Sequence, residues 1–262
     1  MKKIFLLLTL FTTIYSFSQL QKGIAYYGYI NALSNGNANG PDSNAYLVFN
    51  KEQSYYVTAK DSLEKAEKIN EQRTYGNKDG NGGSIHLGLK VSPQGDQVGY
   101  HIKKNTMWSN LYYVKQIYIK EATPKMDWKI EKETKKIGSF VCKKATTKFR
   151  GRNYTAWFTS DIALPFGPWK LNGLPGLILE AYDTDKHIYW YFKSLEYPTE
   201  NKENVKFIKT EKGTDFLTYD EFKLFQKEQQ NKTTEKQRIV HKKFPDVIFI
   251  DPKLPEMFIE FE

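Results

Sequence analysis

The sequence predicts a mainly β, α+β fold, in which a curved antiparallel sheet or partial barrel carries at least one packed helix. Three observations support this. The chain has 18 Tyr and 17 Phe and an aromatic fraction of 15%, and these residues pack well on half-buried strand faces. Short β-forming runs alternate with turn residues along most of the chain, which is typical of meander connections. Helical periodicity follows Thr218.

The candidate strands are short β-rich runs bounded by Gly, Asn, Pro or charged residues. They lie at 23–30, 45–49, 54–58, 85–91, 98–103, 111–120, 129–131, 138–149, 153–159, 177–182 and 187–195. Hairpins are predicted for 45–49 with 54–58 and for 177–182 with 187–195, and a further strand pair for 138–149 with 153–159. Because residues 112–119 alternate only in part, we expect a central strand there that is buried on both faces.

One helix is well predicted. Thr218-Tyr219-Asp220-Glu221 has the reciprocal capping pattern of a helix start, and Phe222 and Phe225 continue an apolar stripe to about residue 231. We expect 232–243 to be a loop or frayed extension and 61–72 to be a short exposed helix or an ordered loop. Residues 247–250 form a last apolar run.

A tight turn is predicted at Gly173-Leu174-Pro175-Gly176. Pro175 presets its φ for the second position of a type II turn, and Gly176 would supply the positive φ of the third. Leu177 should lie buried beside this turn. A phosphate cradle is disfavoured, because the glycine spacing is wrong and a strand follows.

Residues 1–18 have the features of a signal peptide. Lys2 and Lys3 precede a short apolar run, and Ser16 and Ser18 stand before the expected cleavage site. The run is too short to span a membrane. We expect export to the periplasm or cell surface, with no transmembrane segment in the mature chain and one β-rich domain over 19–262.

The chain is basic, with a formal net charge of +9, or about +7 without Lys2 and Lys3. Export disfavours nucleic acid, and no nucleic-acid partner is predicted. The charge favours anionic lipid head groups or acidic polysaccharide, although lysines spread along the chain for solubility would give the same balance. Cys142 is the single cysteine and cannot form an internal disulfide. It is either a buried hydrophobe or a reactive or intermolecular thiol.

Five motifs occur in order along the second half of the chain: Cys142-Lys143-Lys144-Ala145, Phe149-Arg150-Gly151-Arg152, Tyr154-Thr155-Ala156-Trp157-Phe158-Thr159, Gly167-Pro168-Trp169-Lys170 and 173–178. This series resembles the GLPGLI family of exported proteins from Bacteroidetes-type bacteria. This resemblance covers most of the mature chain and implies a β-rich periplasmic or surface-associated protein. It implies no particular activity.

The candidate binding residues are Arg150, Arg152, Tyr154, Trp157 and Trp169. Guanidinium groups beside aromatic faces can bind carboxylate, phosphate or sugar rings. In the alternative, Tyr154 and Trp157 pack in the core and the arginines cap a hairpin tip.

No catalytic residues, metal ligands or cofactors are predicted. The four histidines are scattered, and no nucleophile elbow or zinc-protease pair is present in the sequence. His187 with Asp183 and Asp185 could form a weak metal site, but solvated polar residues are the expected interpretation.

These features favour a non-catalytic exported envelope protein that binds an outer-membrane or periplasmic protein, or a lipid-like apolar ligand. Two alternatives stay open. One is a hydrolase of envelope polymers, and the other is a self-associating surface or structural protein.

Overall fold

The computed structural model describes residues 22–33, 42–58, 74–76, 83–85, 95–113, 115–243 and 253–261. The strands are β1 Gly23–Asn31, β2 Asp42–Phe49, β3 Gln53–Thr58, β4 Thr74–Gly76, β5 Gly83–Ile85, β6 Gln97–His101, β7 Thr106–Tyr113, β8 Lys115–Ala122, β9 Lys129–Ile137, β10 Phe140–Phe149, β11 Arg152–Thr159, β12 Leu177–Asp183 and β13 Ile188–Glu196. The helices are α1 Tyr219–Lys243 and α2 Leu254–Met257. The predicted signal peptide and the segments at 61–72 and 247–250 lie outside the described residues.

Eleven strands form one open antiparallel sheet in the order β8-β7-β6-β3-β2-β1-β13-β12-β11-β10-β9. The first half of the chain runs outward from β1 to β8. The second half starts at the opposite edge with β9 and returns to β13, which pairs with β1. The strand pairs β1–β13, β9–β10 and β11–β12 each contain a register shift, and such bulges bend a sheet. The predicted antiparallel β fold with a packed helix is therefore confirmed.

Most of the main core lies on one face of this sheet. The rings of Tyr29 and Trp190 stack at 5.4 Å, and Trp169 stacks on the other side of Trp190 at 6.0 Å. Trp169 belongs to the irregular segment between β11 and β12, which packs Phe166 and Leu174 into the same core. On the other face, Ile208 joins a smaller cluster with residues of β1, β2, β3 and β8.

The predicted strand at 111–120 is wrong, because the structure divides it into β7 and β8. These strands pair from Thr106↔Ala122 to Tyr113↔Lys115, and no Gly or Pro marks the reversal in the sequence. β8 lies at the edge of the sheet and is not central, although Ile117, Tyr118 and Ile119 are buried. The backbone of Leu217 bridges to Ile119 and covers part of this edge.

Helix α1 begins as predicted but ends later. The amide of Glu221 donates to Thr218 Oγ1 at 3.3 Å, and the amide of Thr218 donates to Glu221 Oε2 at 2.7 Å. The expectation of a loop or frayed extension at 232–243 is wrong, since α1 continues to Lys243. An i,i+4 ion pair, Glu228–Lys232 at 2.6 Å, supports the continuation. Among the described residues, no helix combines the length and apolar character needed to cross a membrane.

The chain bends at 174–176, and Leu177 is fully buried. The positive φ predicted for Gly176 is wrong: the left-handed residue is Gly173, at φ +88°. Gly176 is needed for a different reason, because a Cβ there would overlap the carbonyl oxygen of Thr159 on β11. The segment crosses β11 too closely for any side chain at this position.

Candidate functional site

The predicted arginines lie at the β10–β11 reversal. Arg150 has φ 49° and Gly151 has φ 78°, the two positive values that a tight primed hairpin turn requires. Both arginine side chains are buried, at 8% exposure for Arg150 and 7% for Arg152. They therefore do not cap the hairpin in solvent, and their partners lie inside the protein.

Arg150 belongs to a buried cluster of four charges. The ammonium group of Lys170 lies 2.7 Å from Glu121 Oε1 and 2.7 Å from Glu260 Oε1. Arg150 forms an ion pair with Glu121, and its Nε lies 3.9 Å from Glu260 Oε2. Two cations and two carboxylates balance in charge, which permits their burial.

Arg152 binds the C-terminal segment. Its guanidinium donates to Asp183 Oδ2 at 3.0 Å and to the backbone carbonyls of Ile259 at 2.9 Å and Phe258 at 3.0 Å. Gln226 of α1 donates to the carbonyl of Glu260 at 2.6 Å. The arginines therefore fasten residues 253–261 to the sheet and leave no exposed guanidinium for a ligand.

The three predicted aromatic residues do not form one surface. Tyr154 and Trp169 pack 6.2 Å apart in the core. Strand alternation in the regular register from Tyr154 to Trp157 places Trp157 on the opposite side of β11. All three are at least nine-tenths buried.

Of the three possible metal ligands, Asp183 is engaged by other groups of the protein. Asp183 accepts hydrogen bonds from Arg152 and, at 2.9 Å, from the amide of Ile188. No group of three or more His, Cys, Asp or Glu side chains suited to a metal ion occurs in the described ranges. Cys142 is fully buried, and burial raises the pKa of its thiol to about 11, so the buried-hydrophobe interpretation fits its position.

A partly exposed aromatic set lies on the other face of the sheet, opposite Trp190. We call Tyr182, Tyr189 and Tyr191 the tyrosine row. Tyr182 pairs directly with Tyr189 across β12 and β13, and Tyr191 follows on the same side of β13. Each ring is partly exposed. This face therefore presents three aromatic rings to solvent.

The rings are held in fixed relative positions. Tyr189 lies 5.7 Å from Tyr191 with an interplanar angle of 50°, and 5.7 Å from Tyr182 at 88°. The ring of Tyr191 lies directly against Gly28 of β1, where any Cβ would overlap it. Tyr191 thus lies across the neighbouring strand, and Tyr182 stands edge-on to Tyr189.

Charged groups anchor and flank the row. Burial, together with the nearby charge of Glu180, raises the pKa of the Tyr189 hydroxyl to about 12. Lys135 forms a 2.6 Å ion pair with Glu180. At the outer ends, the ammonium groups of Lys186 and Lys193 lie 5.4 Å and 5.7 Å from the ring centres of Tyr182 and Tyr191.

Sequence reasoning missed the tyrosine row. The alternation Tyr189-Trp190-Tyr191 could have indicated part of the row, because in a strand it places the two tyrosines on one face and Trp190 on the other. The pairing of β13 with β1 sets Gly28 under Tyr191, which lies 163 residues later in the chain. That pairing has no local signature.

Part of the chain matches a known family model. The model described as "N-glycanase peptide, N-terminal domain" matches residues 106–221, which is less than half of the chain but contains the whole tyrosine row. No curated protein matches the chain in sequence.

Two solved structures of PNGF-II are similar to the chain. The structure in space group P21 has 17% identity and a TM-score of 0.47, covering 70% of this chain and 29% of its own. The structure in space group C2 has 15% identity and a TM-score of 0.45, covering 76% of this chain and 31% of its own. The chain thus spans less than a third of the length of either structure.

Proposed function

We propose that this protein is an exported, non-catalytic envelope module that binds glycans through the tyrosine row. The observation that carries the proposal is the fixed ring of Tyr191 against Gly28, with Tyr189 beside it. An aromatic ring held flat presents an apolar face on which the C–H face of a sugar ring can stack, and tyrosine adds a polar hydroxyl. The partial match to an N-glycanase domain model supports a glycan as the ligand class.

The absence of open space within the described part of the sheet interior also supports a ligand site on the outer face. The described sheet interior is filled by large side chains, including Trp190, Tyr27 and Phe166. Two shallow depressions, of about 470 and 560 Å³, lie outside this interior. Lys223 lines the first and Lys148 lines the second. These features favour a ligand on the outer face over a lipid-like ligand within the sheet.

Export, a periplasmic or surface location, and membership of the GLPGLI family remain parts of this proposal and rest on the sequence motifs. A protein partner in the outer membrane or periplasm would be a glycan-bearing one under this proposal. Self-association through a strand edge is disfavoured, since edge strand β9 carries four lysines, which oppose edge pairing.

The test is binding of the purified protein to a panel of immobilised polysaccharides. Replacing Tyr189 and Tyr191 by alanine should reduce the affinity at least tenfold. Phe207→Ala is the matched control, because Phe207 is an aromatic residue with 57% exposure outside the row. Equal binding by wild type and the double variant, with both folded by circular dichroism, would overturn the proposal.

A hydrolase of envelope polymers is the second candidate, and the partial match to an N-glycanase domain model is what favours it. Burial raises the pKa of Asp96 to about 6, and carboxyl groups with raised pKa values occur at catalytic sites as well as at buried structural positions. Its charge also acts on the buried hydroxyls of Tyr29 and Tyr56. Release of reducing ends from a polysaccharide by wild type but not by Asp96→Asn would establish this activity.

A further inference from the structure

We infer that the glycan bound by the tyrosine row is an acidic one, and that the β9–β10 hairpin supplies its cationic contacts. This inference rests on the proposed function and names the ligand class of the same face. It depends on how the positive charge of the chain is distributed, on which lysines lack an acidic partner, and on which side of the sheet they lie.

The charge excess is concentrated. Residues 125–149, which contain β9 and β10, have eight lysines and three acidic residues, so this stretch supplies +5 of the formal +9 of the whole chain. Two of its acids are already engaged: Glu133 lies 2.9 Å and Glu131 lies 3.4 Å from the ammonium group of Lys144. The hairpin therefore presents a positive field to solvent.

Two exposed lysines of the hairpin share the side of the tyrosine row. Lys148 pairs with Asn153, and Lys129 pairs with Thr146, which in turn pairs with Thr155. Asn153 and Thr155 alternate with Trp157 on one side of β11, and Trp157 pairs with Glu180 on the Tyr182 side of β12. Lys129 and Lys148 thus lie on the outer face at the β9–β10 end.

One further lysine stands at each end of the row. Lys186 and Lys193 are exposed beside Tyr182 and Tyr191. The acid nearest the centre, Glu180, is only 13% exposed and is paired with Lys135. Asp185, in the turn next to Lys186, is an exposed acid beside the row, and Glu133 of the hairpin is exposed but paired with Lys144. The aromatic rings are therefore bordered on both sides by exposed ammonium groups, an arrangement that suits a polymer with repeated carboxylate or sulfate groups.

The experiment compares two polymers that share a sugar backbone and differ in charge, polygalacturonate and its fully methyl-esterified form. Binding is measured by biolayer interferometry at about 0.15 M ionic strength, where the Debye length is about 8 Å. Wild type should bind polygalacturonate about tenfold more tightly, and added salt should weaken only that binding. The K129Q/K148Q variant should lose most of this preference while it keeps its affinity for the neutral polymer.

The matched control is K242Q/K243Q, which removes the same charge from exposed lysines at the end of α1. An equal loss in this control would overturn the inference, because net charge alone would then explain binding. Equal affinity of wild type for both polymers would overturn the acidic ligand class but leave the proposed function standing. Binding to neither polymer by the folded protein would count against both. Tighter, hairpin-dependent binding to phosphatidylglycerol vesicles than to polygalacturonate would assign the hairpin to a membrane surface instead.

Discussion

The ammonium group of Lys170 lies 2.7 Å from the carboxylate of Glu260, and neither side chain is more than 2% exposed. The two residues are 90 positions apart. Lys170 comes from the irregular segment before β12, whereas Glu260 belongs to the C-terminal segment. Their pairing, with Glu121 and Arg150 beside them, holds that segment against the sheet.

Removing the central cation should destabilise the protein strongly. Lys170→Met leaves Glu121 and Glu260 buried with Arg150 as their remaining cation, and breaking a buried pair in this way costs about 3–5 kcal/mol. The free energy of unfolding from denaturant titration measures the loss. Lys103→Met, which breaks the exposed pair with Glu52, is the control and should leave the midpoint unchanged. Similar midpoints for both variants would contradict the structural role of the cluster.

Two glycine-to-alanine substitutions should lose stability for different reasons, one through a steric overlap and the other through backbone strain. Gly176→Ala places a methyl group on the Thr159 carbonyl and should cost about 1–3 kcal/mol by overpacking. Gly213→Ala has φ +82° and open space around it, so it should cost only about 1 kcal/mol of strain.

Gly99→Ala completes this series as a neutral control, because its nearest atom would be an ordinary contact with Trp108 at 3.7 Å. Thermal unfolding ranks the three variants. A Gly176→Ala variant as stable as Gly99→Ala would contradict the close crossing of β11 by this segment.

The carboxyl group of Asp96 should make stability depend on pH. Burial raises its pKa from 3.8 to about 6 in the folded state. Folding is therefore penalised most above pH 6, where the group must be charged in both states, and the penalty disappears below pH 3.8. Asp96→Asn should raise the free energy of unfolding at pH 7 by on the order of 2–3 kcal/mol. Denaturant titrations at pH 4 and pH 7 measure the difference in unfolding free energy between the variant and wild type. An equal difference at both pH values would contradict the raised pKa of Asp96.

The helix cap should stabilise α1 in a pH-dependent way. Hydrogen bonds from the amide and hydroxyl of Thr218 lower the pKa of Glu221. A lowered folded pKa contributes stability above the usual value of 4.5, and this contribution is lost as the pH falls through the folded value. Thr218→Ala should cost about 1 kcal/mol at pH 7. Glu221→Gln should be less stable than wild type at pH 7 and should approach it under acid conditions, as followed by circular dichroism.

Local patterns in the sequence were enough to predict the elements whose contacts are with residues close in the chain. The β2–β3 and β12–β13 hairpins follow from strand runs separated by polar turns, and the start of α1 follows from the Thr218–Glu221 capping box. The split between β7 and β8 was not predictable in this way, because residues 111–120 contain neither Gly nor Pro. The end of α1 was not predictable either, because residues 232–243 are mostly polar and carry no marked apolar stripe.

By itself, the sequence determined the β-rich class, several hairpins and the residue types that could form a site, because these depend on period and turn chemistry over a few residues. Only the tertiary structure decided what those residues do. Burial of Arg152 depends on carbonyls more than 100 positions away, and the tyrosine row depends on the pairing of β13 with β1. Both arise from contacts between distant segments, which a single sequence does not encode in any local pattern.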